Sequence, residues 1–340
     1  MTDYLVFGSC LRSELPFPEL TESHGREPRW TLTLGALPLA DDGEILSDTQ
    51  LSGDCRIRIS RAGDGLRFSH SCAGTFELRD HGRKIIFDAD LAANVDAART
   101  DLVARLLLMS ADQDRVTWLH GSAARIGQTA VAFIGPSGAG KSTLALAMAR
   151  AGAEHICDDA LPIEPGKPPV VWASDGTVRL CGDTKRHFAP DVNSVRREWD
   201  GKFVVTRSDL QCDDAALNCD APGVEHQHSE SRTRLGAIYV LAPARATASN
   251  GISEVAVTRR LIPPSAAIAL MIQNLKLGAL VSTDYPVRKM EHLGAVAREV
   301  PVFELTVPRD WSRIAEVVSR LLEWHQPSAP IATQAAGAVS

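Results

Sequence analysis

One nine-residue stretch constrains this chain more than any other. Gly135-Pro136-Ser137-Gly138-Ala139-Gly140-Lys141-Ser142-Thr143 satisfies the pattern GxxxxGK[ST]. Its glycines let the backbone curl so that several N–H groups aim at a single phosphate. An apolar run, Val131-Ala132-Phe133-Ile134, enters the loop, and residues 141–151 read as the helix that leaves it, with Gly152 suited to a left-handed C-cap. That helix adds its positive N-terminal end to the amides of the loop. The stretch therefore reads as a nucleotide phosphate loop. Lys141 is expected to reach the β- and γ-phosphates, and the Ser142 hydroxyl to help hold Mg²⁺.

Next comes the pair Asp158-Asp159, one helix and one short strand (residues 155–157) beyond the loop. In a parallel sheet the loop and the end of the adjacent strand share an edge, where ligands bind. One carboxylate is then placed to hold Mg²⁺, directly or through water, and the other to take a proton from an attacking hydroxyl. His120 precedes the loop, in Trp118-Leu119-His120-Gly121-Ser122-Ala123. On a neighbouring strand it would face the same pocket, although a lone strand histidine is as readily structural.

Around this motif the chain reads as two parts. Length over roughly 150 residues per domain gives about two domains for 340 residues. Residues 1–113 read as a β-rich N-terminal domain, with strands at 30–34, 56–60, 66–68, 75–78 and 84–87 and a linker helix over 96–110. Residues 114–325 read as an α/β catalytic domain. Strands are expected at 118–124, 129–134, 170–173, 177–180, 202–206, 236–241, 254–258 and 302–307, and helices at 264–277, 286–298 and 310–324. The polar segment 209–234, with His226-Gln227-His228, reads as a loop, and 326–340 as a disordered tail. The apolar residues of 267–277 read as ordinary helix core.

Composition removes several classes of function. With 44% hydrophobic and 23% charged residues the chain is neither disordered nor collagen-like. A net charge of −6 leaves no electrostatic footprint for nucleic acid. No run approaches the ~20 apolar residues of a membrane span. The N-terminus lacks a basic segment followed by an apolar one, so no secretory signal is expected. Seven scattered cysteines with no CxxC pair argue against a disulfide framework or a structural zinc site. A cytoplasmic protein follows from these absences.

Together, His120-Gly121-Ser122-Ala123, the stretch from Phe133 through the loop to Thr143, and Asp158-Asp159 resemble the catalytic domain of HPr serine kinase/phosphorylase. The segments Gly236-Ala237-Ile238-Tyr239-Val240-Leu241 and Val300-Pro301-Val302-Phe303-Glu304-Leu305 look like its broader HPr kinase-like relatives, as does the region 4–20 with Ser13-Glu14-Leu15-Pro16. Such relatives occur in peptide-modification gene clusters, lasso peptide clusters among them.

The resemblance implies a P-loop kinase fold similar to HPr kinase and to phosphoenolpyruvate carboxykinase, using ATP and Mg²⁺. It implies transfer of the γ-phosphoryl group to a serine of a peptide or protein, such as a ribosomal peptide precursor. Asp158 becomes the general base, Asp159 with Ser142 the metal side, and His120 a pocket residue; the two aspartate roles are exchangeable. A family signature resembling E-[IV]-R-G-[LI]-G has its nearest match at Thr177-Val178-Arg179-Leu180-Cys181-Gly182, without the glutamate. Ala139 and Thr143 also stand where HPr kinases often differ. HPr itself and a reverse phosphorylase reaction are therefore not expected. Lys185, Arg186, Arg196, Arg197 and Lys202 are further cations, Lys202 leading because it opens an expected strand. A small-molecule alcohol kinase and a non-catalytic ATP-binding regulator are the alternatives, and a homo-oligomer is left open.

Overall fold

The computed structural model describes residues 1–38, 43–50, 55–89, 94–111, 116–174, 177–190, 196–197, 201–206, 232–242, 255–276 and 285–325. Residues 209–231, with His226 and His228, and the expected tail at 326–340 lie outside them. The described part is a mixed α/β structure with three sheets.

The N-terminal sheet has eight strands: β1 (Thr2–Val6), β2 (Ser9–Ser13), β3 (Pro28–Leu34), β4 (Ile45–Gln50), β5 (Arg56–Ala62), β6 (Gly65–His70), β7 (Gly74–Arg79) and β8 (Lys84–Asp88). Their spatial order is β1-β2-β3-β8-β7-β6-β5-β4. Phe7 and Gly8 both have positive φ, as a two-residue hairpin turn requires. Alternation sets the buried face: Trp30 and Leu32 of β3, Ile57 and Ile59 of β5, and Ile85 and Phe87 of β8 point inward. A helical segment then covers the core. It consists of α1 (Val95–Asp101), capped by Asn94 Oδ1 on the Ala97 N–H at 3.0 Å, a π turn (Leu102–Leu106), and α2 (Leu107–Ala111). The expected regular helix is thus interrupted by the π turn.

The second sheet is built from β9 (Thr117–Leu119), β10 (Gly121–Ile126), β11 (Thr129–Ile134), β12 (Glu154–Cys157), β13 (Leu161–Glu164), β14 (Val170–Val171), β18 (Thr233–Leu241), β19 (Thr258–Leu261) and β20 (Val302–Thr306). The third is the small set β15 (Thr177–Leu180), β17 (Phe203–Thr206) and β16 (Arg196–Arg197), in that spatial order. Helices α3 (Lys141–Arg150), α4 (Gly182–Phe188), α5 (Pro264–Gln273), α6 (Tyr285–Glu299) and α7 (Ile314–His325) complete the fold.

Strand β11 is apolar from Ala130 to Ile134 because both of its faces are covered there. Val131 and Phe133 pack with Leu144 and Met148 of α3 and with Val318 and Leu321 of α7. Ala130, Ala132 and Ile134 pack with Met271 of α5 and Leu293 and Val296 of α6. The N-terminal and second sheets share apolar packing: Val116, Trp118, Ala160 and Trp172 belong to the N-terminal core, and the Phe7 and Trp118 rings meet edge-on at 4.9 Å.

Three expectations are corrected. The strand over 118–124 breaks at His120: β9 pairs with β13, whereas β10 pairs with β11 and β12. The strand expected at 254–258 forms instead at Thr258–Leu261, where antiparallel pairing with β20 sets Arg260 beside Glu304. Cys55 and Cys72 form a disulfide, with 5.9 Å between their Cα atoms. Cys10, Cys157 and Cys181 are not disulfide-bonded. No helix among the described residues is long and apolar enough to cross a membrane.

Candidate active site

The loop between β11 and α3 takes the shape its glycines allow. Gly135, Gly138 and Gly140 have φ of 144, 74 and 98°. At Gly135 the constraint is also steric, because a Cβ there would lie 2.7 Å from the Leu241 carbonyl oxygen. The Gly135 N–H donates to Asn274 Oδ1 at 3.0 Å. Arg309 donates to the Gly138 and Ala139 carbonyls at 2.9 and 3.0 Å, tying the loop's outer rim to the end of β20. Lys141, the first residue of α3, is buried and donates through Nζ to the Gly135 and Pro136 carbonyls, each at 2.9 Å. Burial pulls its ammonium down to about 8 against the pull of Asp158 and Asp159, and the charges of Lys202 and Lys276 act in the same direction as burial.

Asp158 and Asp159 follow β12, which runs antiparallel to β10, as does β11. Strands β11 and β12 therefore point the same way, with β10 between them. The expected adjacency is corrected to a next-but-one relation, and the loop and the aspartates still leave from one edge. Both side chains are buried. Asp158 accepts from the Ser122 hydroxyl at 2.5 Å and from the Arg179 backbone N–H at 2.8 Å, two neutral donors.

Asp159 sits among cations instead. Arg179 donates to its Oδ2 at 2.8 Å, Lys276 Nζ bonds the same oxygen, and His120 Nδ1 lies 3.3 Å from Oδ1. Burial works to raise this carboxyl, but Lys276, Arg179 and His120 together outweigh it and hold it well below the usual carboxylate range. Its backbone has φ of 62°, and the Ala160 N–H reaches the Asp158 carbonyl at 2.7 Å. That is the left-handed form of the three-residue turn, a strained geometry for a residue with a side chain.

Lys276 reaches the site because α5 stops at Gln273. The chain beyond it runs along the break in the sheet: the His120 N–H donates to the Asn274 carbonyl at 2.6 Å and the Lys276 N–H to the Trp118 carbonyl at 2.9 Å. One short segment thus delivers Asn274 to the phosphate loop and Lys276 to Asp159. A small cleft of about 50 Å³, open to solvent, lies beside the aspartates. Phe7, Glu19, Arg99 and Val103 line it from the N-terminal part, and Asp158, Asp159, Thr177 and Arg179 from the other side.

Against this geometry, comparison with known proteins finds likeness among solved structures. No protein-family model and no curated protein matches the chain. Among solved structures it is similar to the Hpr(Ser) kinase/phosphatase from Coxiella burnetii. The identity is 10%, over 61% of this chain and 95% of that one, with a TM-score of 0.28. Likeness at that level carries no weight for fold or activity.

The sequence-derived residues fall as follows. His120 lies on Asp159, with Nδ1 also 3.2 Å from the Asp159 carbonyl oxygen. Of the further cations, Lys202 influences Lys141, whereas Arg186 pairs with Asp183 at the surface and Lys185 lies over the Phe203 ring. Residues Ser122, Arg179, Asn274, Lys276 and Arg309 were not singled out as site residues. The one local signal for Asn274 and Lys276 is the turn to polar residues that begins at Gln273, where the apolar stretch of the helix ends.

Proposed function

We propose that this chain is an ATP- and Mg²⁺-dependent kinase that transfers the γ-phosphoryl group to a serine hydroxyl of a peptide or protein. The observation that carries the reading is the glycine-rich loop and Asp158 leaving from one sheet edge, with the charges of both aspartates acting on Lys141. Residues 135–143 hold the phosphates: the loop amides beyond Gly135, whose own N–H is held by Asn274, would meet the oxyanions, and Lys141 exchanges its carbonyl partners for the β- and γ-phosphates. The oxygen donors on this edge suit Mg²⁺, a hard cation. Ser142 would hold it together with Asp159, the latter through water because both its oxygens already face cations. The ion would neutralise charge on the transferring group.

Asp158, held by two neutral donors, takes the proton of the acceptor hydroxyl. The hydroxyl oxygen then bonds to the γ-phosphorus as the bond to the β–γ bridging oxygen breaks and ADP leaves. Asp159 positions Arg179, Lys276 and His120 beside the developing charge. The open cleft next to Asp158 is the acceptor's entry, and its mixed apolar and charged lining suits a peptide segment. The test is mass spectrometry of peptides and proteins of the source cell after incubation with Mg·ATP. A gain of one phosphate on a serine is expected with wild type and not with Lys141→Ala. Asp158→Asn is expected to keep nucleotide binding and lose ~10²–10⁴-fold in transfer rate. Transfer by Asp158→Asn at the wild-type rate would refute the base assignment.

A further inference from the structure

Away from the candidate site, the N-terminal sheet gathers two cysteines and a histidine. Strands β5 and β6 pair antiparallel with Ile57 opposite His70 and Arg58 opposite Ser69. Continuing that register sets Cys55 opposite Cys72, and the Arg56 and Ser71 backbones still bond, Ser71 N–H to the Arg56 carbonyl at 3.0 Å. His70 ends β6, and Cys72 lies two residues on, in the turn that follows. The two sulfurs and a ring nitrogen of His70 lie within 4.8 Å of one another. Ligand atoms of a tetrahedral zinc site, at ~2.0–2.3 Å from the ion, stand roughly 3.5 Å apart, a small side-chain adjustment away.

The second observation lies behind the ring. His70 and Asp101 of α1 are both fully buried, and His70 Nδ1 bonds Asp101 Oδ2, while the other oxygen of Asp101 takes Arg105. A nitrogen in contact with a carboxylate oxygen carries the proton, so Nε2 is the atom that would meet an ion. A carboxylate behind a histidine is the arrangement that fixes the tautomer and raises the basicity of a metal ligand. The cysteines are half-buried at the sheet end, within reach of a reductant.

We propose that Cys55, Cys72 and His70 form a binding site for a thiophilic divalent cation such as Zn²⁺, filled when the Cys55–Cys72 bond is reduced. A dithiol supplies two electrons and two protons, becoming a disulfide itself and leaving two thiols. The cation then binds the two thiolates and His70, releasing two protons, with the fourth position open to water. The disulfide and the metal are alternative staples for the same hairpin end. Spacing along the sequence hides the site because its ligands come from two strands rather than one CxxC turn.

The experiment uses the full chain with Cys181, Cys212 and Cys219 changed to serine, titrated with Co²⁺ and Zn²⁺ in its oxidised and its phosphine-reduced form. The reduced protein is expected to bind one ion per chain and to show a thiolate-to-cobalt charge-transfer band. The oxidised protein is expected to show neither. Cys72→Ser is expected to abolish the band, and Asp101→Asn to weaken binding by ~10–100-fold while keeping the band. Equal binding by the oxidised and reduced proteins, a comparison that needs no change at the site, would overturn the proposal. So would a reduced protein without the band.

Discussion

Asp159 is the residue where backbone strain and charge meet. Its left-handed backbone is a geometry that costs about 1–3 kcal/mol, and the ion pairs with Lys276 and Arg179 hold it there. Removing Lys276 leaves a buried carboxylate with fewer partners, so Lys276→Ala is expected to lower stability by about 1–3 kcal/mol in urea unfolding. The pH dependence has a definite sign. The Asp159 carboxyl is depressed in the folded state, so its contribution is fully present above the unfolded value of ~3.9 and is lost as pH falls toward the folded one. Lys276→Ala moves the folded value up and removes part of that contribution, so its acid unfolding midpoint is expected at higher pH than that of wild type.

Lys141 gives a second prediction at this scale. Its ammonium, pulled down to about 8 chiefly by burial, is charged below that pH and neutral above it. Affinity for Mg·ATP is expected to hold constant from pH 6 to 7.5 and then to weaken by up to roughly tenfold per unit between pH 8 and 10. Calorimetric titration across this range checks it, and a flat profile would contradict a charged Lys141 on the phosphates.

Among elements, the unit β11–loop–α3 was legible because its information is local. An apolar run, glycines at fixed offsets and a helix-forming tail sit within about twenty residues. The break between β9 and β10 was not legible. Nothing local in residues 118–124 marks an interruption, and the break shows only in the long-range bond from the His120 N–H to the Asn274 carbonyl. Lys276 and Asn274 were missed for the same reason, since their partners are more than a hundred residues away. Arg179 stood in the segment noted for its missing glutamate, and its role became visible only with Asp158 and Asp159 beside it.

The loop also sets an element-scale prediction. Gly135→Ala would drive a Cβ against the Leu241 carbonyl at a φ that side chains rarely adopt. It is expected to lower the melting temperature and to weaken Mg·ATP binding at least tenfold. Gly127→Ala, at the open turn between β10 and β11, has nothing within 4 Å and φ of 57°. It is expected to cost about 1–2 kcal/mol of stability and leave nucleotide affinity unchanged. Parallel thermal melts and titrations of the two variants separate a phosphate cradle from a mere turn.

Over the whole molecule, the sequence carried the β-rich character of the N-terminal part through β3 and β5–β8, whose apolar residues alternate. It did not carry β4, an edge strand with a mostly exposed or half-buried pattern, nor the packing of Phe7 on Trp118 that brings the N-terminal sheet to the second one. The cleft beside the aspartates depends on that packing, because its two walls come from residues far apart in the chain. The Cys55–Cys72 bond is a product of strand register, which no count of cysteines contains.

Every role proposed for this chain depends on residues 135–143 being a nucleotide phosphate site. Titration of Mg·ATP into wild type and Lys141→Ala at pH 7 tests this most directly. One nucleotide bound per wild-type chain, with affinity at least roughly tenfold weaker in the variant, is the predicted result. Equal affinity in the two proteins, or no binding by wild type, would contradict it.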